Sequence, residues 1–384
     1  MRIGIDTYCL YTARTGVRAY VEGLLPALAR VAPQHAFVQF RPRRGPRKDD
    51  AALSKALNHL TMAGWTEITL PLRAQRAHCD VLLSLEYASP RFAPCPRVVV
   101  FYDALFWSDP THYNRWWRLL QDRLYLPAAR RAGRVITISE HARTAIARHT
   151  GISPDKIVSI APAGKRRANT SAADAAADAA VLARYGLRGR AYVLHMGVLE
   201  KRKNLPFLVE AIARCQRERD EPLYLVLAGQ PGPKDDMDDS AAIRAAIARH
   251  DLGERVMLPG YVPDEDVPAL YRCSRAYAFP SLQEGFGIPI LEAFEHGTPV
   301  LAARASALPE IAGDAALYFD PHDAADLARA LGRVLDDAAL RDDLVARGRA
   351  RGQAFTWERT ARGVLDVLES VIPATRSKGH ASDC

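Results

Sequence analysis

The stretch PSLQEGFGIPILEAFEHGTPV, Pro280–Val300, combines residue types that can hold a phosphorylated ligand. Gly285 and Gly287 flank Phe286 in a loop after an apolar run that ends at Phe279. Glycines let backbone N–H groups approach an anion closely, and a helix start behind the loop adds positive partial charge. Pro289 suits the first turn of such a helix, where its missing donor costs nothing. The pattern reads as a diphosphate cradle. Glu284 and Glu292 are placed to reach along one bound ligand, one toward a ribose and one toward a group beyond the phosphates. The same two carboxylates also fit a blander role, as solvated residues beside a tight turn.

Other clusters read differently. Asp264-Glu265-Asp266 imitates a metal-binding DxD, but it follows Pro263 and opens an apolar-periodic helix, so an N-cap with acids in the first turn is expected. Asp235, Asp236, Asp238 and Asp239 read as a solvated acidic loop. Ser139-Glu140-His141 reads as a serine capping the helix that follows, since no GxSxG elbow accompanies it. There is no Walker A loop, no HExxH and no RNA-recognition signature, and no nucleic-acid partner is expected.

The elements that must position these residues alternate. Strands are expected at 2–6, 36–40, 80–85, 97–102 and 134–139, with helices at about 51–62, 115–131 and 140–149. Val17, Tyr20, Val21, Leu24, Leu28 and Val31 keep a helical spacing after the first strand. Val98, Val99 and Val100 in succession fit a strand buried on both faces. Between about 162 and 190 the pattern lapses into an alanine-rich linker running into a short helix. It then restarts, with strands at 192–197, 223–229, 255–260, 275–281 and 298–303. Helices intervene, and three more follow at 323–335, 338–352 and 357–371. The fold class is α/β: two Rossmann-like doubly wound domains facing a central cleft, with ligands at the carboxyl ends of the strands.

Glu284-Gly285-Phe286-Gly287-Ile288-Pro289, followed by Leu291-Glu292-Ala293, resembles the signature of the retaining glycosyltransferases of family 4, including the spacing of its two glutamates. Arg2–Asp6 with Thr15-Gly16 and Tyr20, Val135–Ser139, Gly197 through Leu199-Glu200 to Arg202-Lys203-Asn204, Gly260-Tyr261-Val262 and Gly297–Val300 resemble further pieces of that family in the same order. The resemblance implies a GT-B fold. Residues 1–170 would form an acceptor-binding domain and 171–356 a nucleotide-sugar-binding domain, with the option that a C-terminal helix at about 357–372 packs back on the first. It also implies hexose transfer with retention of configuration and no metal or other cofactor. By position, Glu292 would hold the ribose hydroxyls and Glu284 those of the donor sugar. Gly285, Phe286 and Gly287 would offer backbone to the donor, and Tyr261 and Val262 would lie near the base. Lys203 and Arg202 would neutralise the departing diphosphate, as fixed cations must when no Mg²⁺ does so. Gly16 would let the first domain's turn close on the same phosphates.

Two positions depart from the family pattern. Val198 stands where many members carry an arginine. Tyr102-Asp103 stands where a His-Asp pair is common. A tyrosine is a poor base near neutral pH. Asp103 is therefore expected to organise the acceptor or the transition state, unless it is a helix cap, and Tyr102 at most to donate a hydrogen bond to the sugar.

The 384 residues are 48% hydrophobic and 25% charged, the profile of an ordinary globular protein rather than a fibre or a disordered chain. Six scattered cysteines with no CxxC pair indicate a reduced compartment. With neither a signal peptide nor an 18-residue apolar run, a cytoplasmic location is expected, with the option of peripheral attachment to the inner face of the membrane. Residues 1–170 carry 26 Lys+Arg against 12 Asp+Glu, and residues 171–384 carry 26 against 32. The basic half calls for an anionic partner, and Arg41, Arg43, Arg44, Arg47 and Lys48 offer a patch for an anionic membrane surface. Leu105-Phe106-Trp107, Tyr113, Trp116-Trp117 and Tyr125 read mostly as packing, with some left to line an acceptor site or touch lipid. The favoured function moves mannose from GDP-mannose to a saccharide or lipid-linked glycan acceptor, in polysaccharide or lipopolysaccharide biosynthesis. The rivals are a sugar-nucleotide epimerase and a non-catalytic nucleotide-sugar-binding protein.

Overall fold

The computed structural model describes residues 1–12, 16–43, 45–46, 52–108, 115–165, 175–232 and 234–373. Thr15, Arg44, Arg47, Lys48 and Tyr113 lie outside the described residues, as do the side chains of Trp116 and Trp117. The chain divides into two units: Met1–Ala163 with Thr356–Cys384, and Gly164–Phe355.

The first unit is built on a six-stranded parallel sheet. Its strands are β1 (Arg2–Asp6), β2 (Ala36–Phe40), β3 (Val81–Ser84), β4 (Arg97–Val100), β5 (Arg134–Thr137) and β6 (Ile157–Ser159), in the order β2-β1-β3-β4-β5-β6. Strands β3 and β4 are buried along their whole length, Ser84 and Arg97 included, and their apolar triplets Val81–Leu83 and Val98–Val100 fit a doubly covered sheet. The helix Gly16–Val31 buries Tyr20, Val21, Leu24, Ala27 and Leu28 on one face. The terminal helix Trp357–Ser370 packs on it, with the Trp357 ring over Gly23, where a Cβ would come within 2.1 Å of the indole. The ordered β1–β3 neighbourhood contains a core of Tyr8, Phe40, Trp65, Leu70 and Leu82.

Two helical runs of this unit are interrupted. The run expected at 115–131 is two helices, Arg115–Leu120 and Leu126–Arg131, joined by a π turn at Gln121–Tyr125. A second π turn, Trp65–Thr69, joins Ala52–Gly64 to Leu70–Arg76. Each π turn runs into a helix with proline at its second residue, Pro127 and Pro71. Proline removes one ladder donor and crowds the preceding turn, and a widened turn relieves both.

The second unit carries β7 (Ala191–Met196), β8 (Leu223–Ala228), β9 (Val256–Gly260), β10 (Ala276–Phe279), β11 (Val300–Ala303) and β12 (Ala316–Phe319), all parallel, in the order β12-β11-β10-β7-β8-β9. This is the order of dinucleotide-binding Rossmann sheets. Its connections reverse direction between β7 and β10, where such sheets bind ligands beyond the strand ends. The first sheet has its own reversal between β1 and β3. Strands β6 and β12 were not expected from the sequence; β6 is three residues long and β12 is only half covered.

Candidate active site

The loops leaving β7 and β10 meet at the reversal point of the second sheet. After β7 the chain makes a single 3₁₀ turn, Lys201–Lys203, ended by Asn204 in the left-handed region at φ 57°. After β10 it runs through Pro280–Gly287 into the helix Ile288–Glu295. Leu282 N–H donates to Arg202 O at 2.9 Å, which ties the two loops together.

Glu284 lies between two cations. Lys203 Nζ donates to Glu284 Oε1 at 2.6 Å, and Arg202 Nη1 lies 2.9 Å from Oε2. Arg202 also donates through Nε to Glu200 Oε2 at 2.8 Å and through Nη1 to Gln283 O at 3.1 Å. Glu284 N–H donates to Ser306 Oγ at 3.0 Å. Burial alone would raise the Glu284 carboxyl, but Arg202 and Lys203 outweigh it and hold the group down to about 2. Burial would likewise lower Arg202, yet Glu284 and Glu200 hold it above its usual range. At Lys203 burial wins and the ammonium sits below its usual range. The Lys203 side chain is 8% exposed, with Nζ 4.9 Å from the Phe279 ring centroid.

The glycine loop is shaped by its backbone. Gly287 caps the helix Ile288–Glu295 at φ 115°, and a Cβ there would approach Leu308 Cδ2 at 3.1 Å and Phe279 Cε1 at 3.3 Å. Only glycine combines that conformation with that closeness. Gly285 lies in the same loop, and Phe286 turns its ring into the unit's interior, edge-on to Phe355 at 5.8 Å. Glu292, in the second turn of the helix, is buried and accepts from Tyr271 Oη–H at 3.2 Å. Beyond β9, Tyr261 is 65% exposed while Val262 is buried.

One residue of this neighbourhood escaped the sequence reading. His195, on β7, is fully buried, with Nδ1 2.9 Å from Ala278 O and Nε2 without a hydrogen-bond partner. Burial and the Lys203 charge push it down to about 4, so it is neutral near pH 7. A Cβ added at Gly197 would lie 3.6 Å from His195 Nε2 and 3.7 Å from Lys203 Nζ, so imidazole and ammonium both lie beside that glycine. The available signal was a histidine inside the otherwise apolar run YVLHM.

The acidic motifs of this unit have structural partners. Asp266 caps its helix by position only; its carboxylate pairs with Arg184 and accepts from Tyr185 Oη–H at 2.8 Å. Asp264 pairs with Lys165 at 2.7 Å. The expected capping role is therefore corrected for both: two cations and a phenol from the linker region compete successfully for their oxygens. Asp238 and Asp239 are not simply solvated either. Asp238 accepts from Gly232 N–H and Ser240 Oγ–H at 2.8 Å, and Asp239 is buried.

In the first unit, Ser139 caps the helix Glu140–Thr150 as expected, accepting from Ala142 N–H at 3.0 Å. Tyr102 is a core residue whose hydroxyl donates to Leu85 O at 2.7 Å, with Tyr20 edge-on at 5.4 Å. That hydroxyl is committed to the backbone rather than offered to a sugar. Asp103 accepts from Leu105 N–H at 3.0 Å at the start of the short helix Leu105–Ser108 and from Tyr87 Oη–H at 2.9 Å. Gly16 begins the helix Gly16–Val31, and a Cβ there would meet nothing within 4 Å. Tyr125 is fully buried, and Phe101 stacks on Trp107 at 5.6 Å.

The family model described as "Glycosyl transferases group 1" matches residues 183–351. The chain is 31% identical over 272 residues to the O-antigen chain mannosyltransferase B of Escherichia coli, an alignment that covers 71% of this chain and 70% of that protein. The chain belongs to the group 1 glycosyltransferases. It is also 29% identical over 246 residues to the serotype-specific mannosyltransferase WbdA of Escherichia coli, covering 64% of this chain but 30% of that much longer protein. The solved structure of Anabaena Alr3699/HepE in complex with UDP-glucose superposes with a TM-score of 0.70 at 20% identity, covering 96% of this chain and 100% of that one. The two six-stranded parallel sheets of this glycosyltransferase are the GT-B architecture. The matched family segment spans β7 through the helix Ala338–Gly352, and so contains every residue of the Arg202–Lys203–Glu284 cluster. No helix among the described residues is long and apolar enough to cross a membrane.

Proposed function

We propose that this glycosyltransferase moves mannose from GDP-mannose to a saccharide, with retention of anomeric configuration and without a metal ion. The observation that carries this reading is the Arg202–Lys203–Glu284 cluster at the sheet reversal point, one loop away from the glycine-capped helix Ile288–Glu295. A nucleoside diphosphate gains negative charge as its bond to the sugar breaks. Two fixed cations and oriented backbone amides stabilise that charge most in the transition state, where it is largest. The charged Glu284 keeps its acceptor oxygens for the sugar hydroxyls while aligning both cations. Glu292 serves the ribose, and Gly285, Phe286 and Gly287 present backbone to the phosphates. Tyr261 and Val262 flank the base.

The mannosyltransferase relatives support mannose as the transferred sugar. In the first unit, Asp103 and the helix start at Gly16 serve the acceptor side. The acceptor is a growing glycan on a lipid carrier, met at the cytoplasmic face of the membrane. Support for this comes from the positive charge of residues 1–170 and from an open polar pocket at the ends of β1 and β2, lined by Thr7, Tyr11, Gln39, Arg41, Pro42 and Arg43. Arg41 lies 5.6 Å from the Tyr11 ring centroid, leaving its charge at the pocket.

The test is a melting series with GDP-mannose, UDP-glucose and ADP-glucose, followed by NMR of the product. A donor at about 100 times its dissociation constant adds roughly 2.7 kcal/mol of stability. GDP-mannose should raise the melting temperature most, and the product should keep the α configuration of the donor. Stabilisation by UDP-glucose alone would replace the donor, and an inverted product would replace the mechanism.

A further inference from the structure

The first unit presents an apolar patch with a basic border. Leu60 is 69%, Ile68 62% and Leu72 47% exposed, and Phe92, between β3 and β4, is 73% exposed. Single exposed apolar side chains are ordinary, whereas a contiguous group marks a surface that is covered in use. Three of these residues form one stripe. The helix Ala52–Gly64, the π turn Trp65–Thr69 and the helix Leu70–Arg76 run on without a break. A π turn holds one residue more than an α turn, so the eight steps from Leu60 to Ile68 make close to two turns, and the four to Leu72 make one more. The other face of this run buries Trp65, Thr66, Leu70 and Ala74. Arg91 donates through its backbone N–H and its Nε to Glu67 Oε2, at 3.2 Å and 3.3 Å, which holds the Phe92 segment against the same run of helix.

The border of the patch is cationic. Residues 52–76 hold Lys55, Arg73 and Arg76 against one acid, Glu67, whose side chain is 15% exposed and engaged with Arg91. Arg131 Cζ lies 6.0 Å from the Phe92 ring centroid. Arg73 Nη1 donates to Arg41 O at 3.2 Å, so the stripe ends against the segment that carries the exposed Arg41 and Arg43. We infer that this face is a membrane-insertion surface: Leu60, Ile68, Leu72 and Phe92 enter the acyl boundary of an anionic leaflet while the surrounding arginines meet its headgroups. A helix with large aliphatic residues on one side and basic residues alongside lies in the plane of a bilayer rather than across it. Arginine suits the edge, because its stem packs on apolar surface while the guanidinium stays among headgroups and water. A protein partner would need only the apolar part; the single sign of the border matches anionic lipid. The inference rests on the reading of a lipid-linked acceptor, and adds which surface meets the bilayer and that it enters rather than docks by charge alone.

The experiment is flotation of the full chain with phosphatidylglycerol-containing vesicles, free of donor and acceptor, at about 0.1 M and about 1 M salt. Over that range the Debye length shortens from about 10 Å to about 3 Å, which removes the electrostatic share of binding and leaves the apolar share. The unaltered protein should keep a measurable bound fraction at the higher salt. Ile68→Ser combined with Leu72→Ser should cut the partition coefficient roughly tenfold at low salt, as the lost burial of two half-exposed aliphatic side chains requires, and abolish binding at high salt. Phe92→Ser, on a separate segment, should cut it several-fold, and decides alone if the double variant does not melt cooperatively. Loss of all binding by the unaltered protein at high salt would overturn the inference, as would equal partition of the unaltered and altered proteins. So would a lipid-free dimer in sedimentation velocity that the double variant turns into monomers, because a second copy would then cover the stripe. Insertion without any sugar transfer would sink the proposed function and leave this surface standing. Transfer to a soluble glycan by a protein that ignores vesicles would do the reverse.

Discussion

At the scale of single residues, the cations and carboxylates carry separable expectations. Glu292→Ala removes a charge-assisted partner from the donor and should weaken nucleotide binding by roughly 1.5–3 kcal/mol. Unchanged affinity by calorimetry would remove Glu292 from the site and leave it as the acceptor of the Tyr271 hydroxyl. Lys203→Ala should lower turnover far more than it changes donor affinity, because charge on the diphosphate grows toward the transition state. Activity should persist in EDTA; its loss, with rescue by Mg²⁺ or Mn²⁺, would show that these cations do not replace a metal. Glu86 supplies a pH expectation of known sign. Burial, then the Asp6 charge, raises it to about 7, while burial raises Asp6 to about 6 against its two donors. A carboxyl group raised on folding contributes stability that is complete below its unfolded value near 4.3 and is lost as pH rises through the folded one. Melting temperature should therefore decline less between pH 5 and pH 8 in Glu86→Gln than in the unaltered protein. Parallel curves would show that Glu86 titrates alike in both states. The cluster of Arg202, Lys203 and Glu284 was legible because Glu284–Gly287 and Arg202–Lys203 are contiguous and sit just beyond strand ends. His195 stands in the sequence only as one histidine inside an apolar run, and only the pairing of β7 with β10 brings it beside Lys203.

At the scale of elements, packing decides between two opposed effects at Gly23. Replacing a mid-helix glycine by alanine gains about 1 kcal/mol of helix propensity. Here the added Cβ would strike the Trp357 ring, which is buried and held edge-on by Tyr20 at 5.9 Å. Overpacking of this kind costs typically 1–3 kcal/mol, and a rigid indole cannot swing aside as a flexible chain can. Gly23→Ala should therefore lower stability in urea, whereas Gly16→Ala, which meets open space, should not. A stabilised Gly23→Ala would mean that the terminal helix yields. The same scale shows where periodicity misleads. The apolar spacing through 115–131 is continuous, but Pro127 forces a wider turn that no count of apolar positions reveals. Strand β6 is too short, and β12 too exposed on one side, to stand out from loop sequence.

For the whole molecule, the charge imbalance is the property most open to experiment. Each Lys or Arg near an anionic bilayer contributes about 1 kcal/mol, so a few suffice for reversible docking. Co-sedimentation with liposomes should rise with anionic lipid and fall as salt shortens the Debye length from roughly 10 Å at 0.1 M. It should weaken when Arg41, Arg43, Arg44, Arg47 and Lys48 become Ser or Gln. Equal recovery with neutral and anionic vesicles at low salt would remove the membrane from the account. The return of the last helix to the first unit also has a consequence for biosynthesis. The first sheet is complete in sequence by Ser159, but the helix that covers Gly23 leaves the ribosome only after the whole of Gly164–Phe355. At about 5–20 residues per second, that interval is on the order of 10–40 s. During it the Gly16–Val31 helix has no Trp357 to cover it, so the nascent protein exposes an apolar seam. The second unit, a single uninterrupted segment, can meanwhile mature first, reversing the usual order in which domains are finished.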